Sequence, residues 1–380
     1  MLEDPDVLSS TVAEMDFEVA EPIRAALRAA IDRSDLGYAV PKSTTLTRAL
    51  AGFARRRLDW CLDPDHVTLV PDVMVGIVEL SRRLARPGQA IAFASPAYPP
   101  FFTELEAAGL SVCTVGLEPD GAISLDELDE VLAGDVAAFV LTSPHNPTGR
   151  VYTRPELASL AERCRERRVW VLADEIHAPL VLPGARFTPW LEVSDAAREI
   201  GFALTSASKA FNLAALKTAF VVTSGDETAA ITERLVGQYD HASLLGTIAA
   251  EVAFTEADDW LDALIAQLDR NRGQLGRALA AALPAVRWTP PQATYLAWVD
   301  CSDLRLGADP ARRFLDRGRV AVGPGNPETT HQSSRRAKCA GPGGQSDRGG
   351  PERVSGAYNN SSTAARKSRC RRRSRPRRGP

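Results

Sequence analysis

Long apolar runs are missing from this chain of 380 residues; none approaches the roughly 18 that a membrane helix needs. Paired cysteines are missing too. Six are scattered, at Cys61, Cys113, Cys164, Cys301, Cys339 and Cys370, with no C-x-x-C among them. That spacing supports neither a zinc site nor a disulfide framework, so no metal is expected and a reducing cytosol suits the chain. The opening MLEDPDVLSS is acidic and has no apolar segment, so no signal peptide is read there. With 44% hydrophobic and 24% charged residues, the reading is a cytoplasmic globular protein with no membrane partner.

A further absence is local. From 326 to 380 there is no Leu, Ile, Phe, Trp or Met, and 14 Lys and Arg stand against three acids. The rest carries 31 basic and 45 acidic residues, so the net charge of −3 averages an acidic body and a basic tail. Such a tail cannot bury enough apolar surface to offset its ordering entropy and reads as disordered. Its bias to Arg, Gly, Pro, Ser and Ala is that of a GC-rich gene translated out of frame. Clustered arginine favours phosphate backbones. With one aromatic, Tyr358, and no recognition fold, however, nucleic acid is not expected as a partner.

Before residue 325, short apolar runs alternate with amphipathic stretches. Strands are predicted at His66–Val70, Ala90–Ala94, Val136–Thr142, Val169–Ala173 and Ile200–Thr205, with helices over Asp72–Leu84 and Pro155–Arg168 between them. Alternation of this kind implies right-handed crossovers and a mostly parallel sheet, and the unbroken apolar character of the strands implies helices on both faces. A long helical pattern over Ala257–Leu283 and a strand in ATYLAWVD (Ala293–Asp300) point to a second, smaller domain.

Chemistry collects where these strands end. In an open parallel sheet, ligands bind beyond the carboxyl ends of the strands, and Tyr98, Asn146, Asp174, His177 and Lys209 fall there. Lys209 raises a question, because TSASKAFNLAALK (Thr205–Lys217) follows the apolar run Ile200–Leu204. A buried ammonium is costly unless paired or neutralised. A lysine that forms a Schiff base escapes that cost and can later act as a base. Ser206 and Ser208 suit phosphate oxygens, and Lys217 supplies a second cation. Plainer readings stand beside these: Asp174 as a helix cap, the serines as turn residues, Lys217 as a solvated lysine, His177 as a structural hydrogen-bonder, Tyr38 and Tyr98 as core aromatics.

Seven segments resemble, in order, the fold-type I pyridoxal-phosphate (PLP) enzymes of the aminotransferase class I/II family, and among them the PatB/MalY-type cystathionine β-lyases. They are AEMDF (Ala13–Phe17), GY (Gly37-Tyr38), SPAYPPF (Ser95–Phe101), SPHNPTGRVYT (Ser143–Thr153), ADEIHAPL (Ala173–Leu180), TSASKAFNLAALKT (Thr205–Thr218) and TYLAWVD (Thr294–Asp300). The resemblance implies an α/β fold: a mostly parallel central sheet covered by helices, plus a smaller α/β domain. It implies a large PLP-binding domain over 33–255 and a small domain from 1–32 and 256–325. By that resemblance Lys209 holds the cofactor and then takes the substrate Cα proton. Asp174 pairs with the pyridine nitrogen, Asn146 bonds the phenolic oxygen, Tyr98 stacks on the ring and His177 neighbours it. Ser206, Ser208, Lys217 and the amides near Val73 and Met74 take the phosphate. Tyr38 reaches the phosphate of a partner subunit, which implies a homodimer.

The activity implied is β-elimination from cystathionine or a related L-cysteine S-conjugate, giving thiol, pyruvate and ammonia. An amino-acid aminotransferase shares every residue named, and an impaired PLP-fold binding or regulatory protein is the alternative of another class. Asp174-Glu175-Ile176-His177 and Lys217 favour the lyase, since many aminotransferases carry Asp-x-x-Tyr and Arg at these places. Two departures bear on activity. Asp72 sets an acid beside the expected phosphate. The family's closing strand, with an arginine that grips the substrate carboxylate, has no counterpart after RVAVGPG (Arg319–Gly325).

Overall fold

The computed structural model describes residues 4, 6–40, 43–233, 235, 241–307, 309–325 and 353–357. Its strands are β1 (Leu8–Ser10), β2 (Val67–Val70), β3 (Ala90–Ser95), β4 (Ser111–Gly116), β5 (Val136–Thr142) and β6 (Trp170–Asp174). They continue with β7 (Gly201–Thr205), β8 (Ala219–Val222), β9 (Arg287–Trp288), β10 (Leu296–Asp300), β11 (Val320–Pro324) and β12 (Arg353–Ala357). The helices are α1 (Glu21–Asp32), α2 (Thr44–Leu58), α3 (Val73–Leu84), α4 (Pro100–Ala107), α5 (Leu125–Leu132) and α6 (Arg154–Glu166). After them come α7 (Asp195–Ile200), α8 (Asp226–Glu233), α9 (Leu244–Glu256), α10 (Asp258–Ala282) and α11 (Pro310–Gly318).

A seven-stranded sheet runs β2-β8-β7-β6-β5-β3-β4. The pairs β3–β4, β3–β5, β5–β6 and β6–β7 are parallel, and β8 alone is reversed against both its neighbours. The expected mostly parallel sheet is therefore present, and its strands end along one edge. Successive side chains of a strand point to opposite faces. Phe139 and Leu141 accordingly join the core that contains Phe53, Leu160 and Phe254 from α2, α6 and α9. Ala138 and Val140 join the one that contains Ile77 and Leu80 from α3 and Phe101 and Leu105 from α4. All seven residues of β5 are buried, which is why it reads as one apolar run. Each large side chain so buried contributes about 1.5–3 kcal/mol.

Local signals set the helix starts that matter for the site. Asp72 caps α3, its side chain accepting from Val75 N. Thr153 and Glu156 close a capping box on α6, with Pro155 in the first turn.

A second sheet of five strands, β1-β11-β12-β10-β9, draws on both ends of the sequence. β12 lies antiparallel between β10 and β11, with Val354 opposite both Val299 and Pro324. These five residues depart from the expectation that 326–380 has no structure. Strand pairing is a main-chain bond, so R-V-S-G-A can fill a gap between two strands without an apolar run. The remainder of that tail, 326–352 and 358–380, lies outside the described residues.

Candidate functional site

The edge where β3, β5, β6 and β7 end carries the residues singled out in the sequence. Asp174 closes β6, and its main-chain oxygen accepts from Ser143 N beyond β5 (3.0 Å). Glu175 N donates across to Leu204 O of β7 (2.8 Å), so the two strand ends are stitched together. Lys209 follows β7 by four residues, in a turn closed by Phe211 N to Ala207 O (3.0 Å) and Leu213 N to Ser208 O (2.9 Å). Phe211 anchors that turn, with its ring buried against Phe53, Phe254 and Trp260.

Electrostatics at this edge are those of groups removed from water. Burial pushes the Asp174 carboxyl up to about 6, against the amide of Ile176 and the charge of Lys209, which both pull it down. The same burial lowers the Lys209 amine, while Asp174 and Glu14 oppose the shift. The two groups sense each other, yet no ion pair joins them among the described residues. His177 is buried and held near 3, hence neutral, and among the described residues its Nδ1 has no partner. Tyr98 is driven up to about 12, first by burial and then by Asp174, Glu104 and Asp72. Its ring stands edge-on to Phe101 at 5.7 Å. Asn146, in the loop after β5, is half-buried.

A second cluster adjoins the first. Ser206 Oγ donates to Thr218 O (2.6 Å), lies 2.7 Å from Ser208 Oγ and accepts from Ser208 N (3.0 Å). Lys217 sits in the left-handed region at φ 48° and ion-pairs through Nζ with Asp72 Oδ2 (2.9 Å). Asp72 therefore has two duties: Oδ1 caps α3 and Oδ2 holds the lysine, which accounts for an acid beside a phosphate cradle. The helix leaves the Val73 and Met74 amides without an intrahelical acceptor. Gly246 of α9 packs so closely behind the loop that an added Cβ would lie 2.1 Å from Leu216 O.

The N-terminal segment crosses the lysine. Lys209 Nζ and Tyr295 OH both donate to Ala13 O, at 2.9 and 3.0 Å. Asn212 Nδ2 donates to Met15 O (2.8 Å) and Phe17 O (3.2 Å), and its Oδ1 accepts from Met15 N (3.3 Å).

Asp174, Lys209, His177 and Tyr98 thus share one electrostatic neighbourhood, and Ser206, Ser208, Lys217 and the start of α3 share the next. Tyr38 joins neither: it is 87% exposed, in a stretch where Leu36 and Val40 are also exposed. A cavity of about 430 Å³ lies elsewhere, lined by Leu58, Tyr152, Arg154, Arg186 and Phe187 among others, and none of the residues above borders it. Three participants carried no assignment from sequence. Asn212 and Tyr295 lie inside quoted motifs, so position alone could have flagged them. Glu175 is almost wholly buried, its Oε1 accepting from Trp190 N (2.6 Å) while Oε2 has no partner. Burial, then the charge of Asp174, pushes its carboxyl up to about 8.

These features fit a cofactor with an aldehyde, a basic ring nitrogen and a phosphate. The amine is largely desolvated, and a helix start with two hydroxyls lies alongside; among the described residues the buried carboxyl has no cation in contact and the imidazole has an unpartnered nitrogen. The chain matches the family "Aminotransferase class I and II" over residues 6–347, and it belongs to that family. It is 42% identical over 348 residues to a provisionally named cystathionine beta-lyase of Mycobacterium tuberculosis, covering 84% of each chain. It is 33% identical over 335 residues to cystathionine beta-lyase PatB of Bacillus subtilis, again covering 84% of each. In three dimensions it superposes on a provisionally named PLP-dependent beta-cystathionase from Corynebacterium diphtheriae with a TM-score of 0.84 at 28% identity. That match covers 95% of this chain and 90% of the other. Among the described residues no helix is long and apolar enough to cross a membrane.

Proposed function

We propose that the protein is a PLP-dependent carbon–sulfur β-lyase, acting on cystathionine or a related L-cysteine S-conjugate to give a thiol, pyruvate and ammonia. The observation that carries the reading is the placement of Lys209 and Asp174. Asp174 is buried at the end of β6, and Lys209 is half-buried beyond the end of the adjacent parallel strand β7. The two are groups of opposite charge within each other's field and, among the described residues, not bonded to each other. The names borne by the relatives at 33–42% identity select the lyase within the family.

When bound, PLP supplies an electron sink for the pair left on the substrate Cα once its proton is gone. The protein supplies the rest. Lys209 would hold the cofactor, and its Nζ would take the proton from the substrate Cα. Its desolvation favours the neutral amine that this task needs. Asp174 would hold the proton on the ring nitrogen, a pairing that would give its buried carboxylate a cation. Tyr98, Asn146 and His177 would help to hold the cofactor ring. Ser208, Ser206, Lys217 and the Val73 and Met74 amides hold the phosphate. The bond from Cβ to sulfur would break with its electrons on sulfur, which would take the proton held on Lys209 Nζ to leave as a thiol. Water added to the three-carbon remainder would give pyruvate and ammonia.

The exposed Leu36, Tyr38 and Val40 support a homodimer in which Tyr38 completes the partner's phosphate site. A cytoplasmic location accords with the scattered spacing of the six cysteines along the sequence. The division proposed with this reading is a large domain over 33–255 and a small one from 1–32 and 256–325.

Purified protein incubated with cystathionine tests this reading. Pyruvate and thiol should appear in equal amounts without a keto acid, and Lys209→Ala should lower the rate on the order of 10⁴-fold or more. Amino transfer that needs a keto acid, with no pyruvate, would favour an aminotransferase instead.

A further inference from the structure

We propose that Asn212 is a positioning residue for Lys209: it fastens the Met15–Phe17 main chain to the lysine loop and thereby sets the Ala13 carbonyl against the lysine Nζ. The inference rests on the reading of Lys209 as the group that moves the Cα proton.

The sequence of this segment, A-E-M-D-F-E-V, alternates apolar and acidic residues. In the structure Ala13, Met15, Phe17 and Val19 turn inward while Glu14, Asp16 and Glu18 face water. That is the pattern of an edge strand, yet among the described residues no strand of either sheet pairs with it. Asn212 takes the place of a pairing partner. Its side-chain amide bonds both the N–H and the C=O of Met15, as a neighbouring peptide would, and adds Phe17 O. At the far end Trp260 Nε1 donates to Glu18 O (3.2 Å) while its ring stacks on Phe211 of the lysine loop. Between these fastenings and β1, the Ala13 carbonyl is left aimed at Lys209 Nζ and Tyr295 OH.

The geometry has a consequence for proton transfer. An amine on a flexible four-carbon stem has many orientations, and a fixed acceptor selects one of them. The covering segment also adds to the burial of the amine, which stays half-buried. The charged groups that act on Lys209 are Asp174 from β6, Glu14 from the segment itself and Lys217 from the same loop. Asn212 sits at φ 60°, where asparagine is tolerated and glycine is unstrained. Asn212→Gly therefore removes the side chain without forcing the backbone.

The test uses the full chain with Asn212→Gly and Asn212→Asp, the second of which keeps one acceptor but loses both donors. Three quantities are read: hydrogen exchange at the amides of 13–17, the pH midpoint for acylation of Lys209 in protein stripped of cofactor, and kcat and KM with protonated and α-deuterated cystathionine. Asn212→Gly should speed exchange at 13–17 and raise the acylation midpoint toward that of an ordinary lysine. It should lower kcat about ten- to a hundredfold, with KM within about twofold and a larger deuterium effect. Faster exchange with an unchanged midpoint and unchanged kcat would reduce Asn212 to a structural clamp and overturn the proposal, as would unchanged exchange. Should Asn212→Gly not fold, Asn212→Asp decides by the same readouts. Pyruvate release that survives Lys209→Ala is a separate failure, of the reading beneath.

Discussion

In the seven-stranded sheet, β5 buries every one of its residues, whereas in the five-stranded sheet β9 is two residues long and leaves Arg287 exposed. The large sheet is assembled from consecutive strand–helix units, each covered on both faces. The small one is knitted from residues 8–10, 287–300, 320–324 and 353–357, so its strands find each other only after most of the chain has been made. Chemistry follows the same division. The large sheet places acid, amine and hydroxyls directly, at strand ends fixed by a packed core. The small sheet acts at one remove, through the segment that continues from β1 and through Tyr295 just before β10. Rigidity is therefore to be looked for in the first region, and tunable coupling in the second.

The sharpest way to break this comparison is at the large sheet. Asp174→Asn keeps the shape of the strand end but cannot supply a charge to a ring nitrogen. Pyruvate release should fall about 100- to 1000-fold, the scale of losing a preorganised electrostatic contact. The protein should fold as before, as circular dichroism and melting would show. A loss under about fivefold would mean that the carboxyl serves only to cap the turn at Ile176.

Next in size is a pH effect from Glu175. Its carboxyl is held up near 8, against about 4.5 in the unfolded chain, so the folded state keeps a proton that the unfolded state has released. Stability must then fall as pH rises from about 4.5 toward 8. Each unit is worth about 1.4 kcal/mol, so the decline is on the order of a few kcal/mol. Glu175→Gln stays neutral and can still accept from Trp190 N, so denaturation curves across that range should flatten. A parallel decline in both proteins would refute the assignment.

The smallest effect is expected from the small sheet. A chain ending at Gly325 lacks β12, which leaves β10 and β11 without their shared neighbour. Hydrogen exchange should quicken at Leu296–Asp300 and Val320–Pro324 and stay unchanged in β5 and β6. Equal loosening in both sheets would show that they unfold as one unit.

How much was legible in the sequence follows the same line. Val136–Thr142 is read to the residue because it is buried on both faces and hence unbroken. Lys209 and Asp174 are legible because each follows an apolar run, where a charged residue needs a reason. The edge strand β4, S-V-C-T-V-G, is half exposed, and its mixed pattern gives no such run. β12 has no apolar signal, because main-chain pairing alone selects it. Asn212 bonds to residues about 200 positions earlier, a contact that no local pattern encodes. Asp72 was visible as an anomaly, and only the fold shows what balances it.

That balance shapes how the site meets an anion arriving from solution. A lysine already matched by a carboxylate presents a small dipole to distant ions, so attraction begins only at close range, where the α3 amides and the serine hydroxyls are within reach. Neutralising Asp72 as Asp72→Asn should consequently make uptake of a phosphorylated vitamin more dependent on salt than it is in the parent protein.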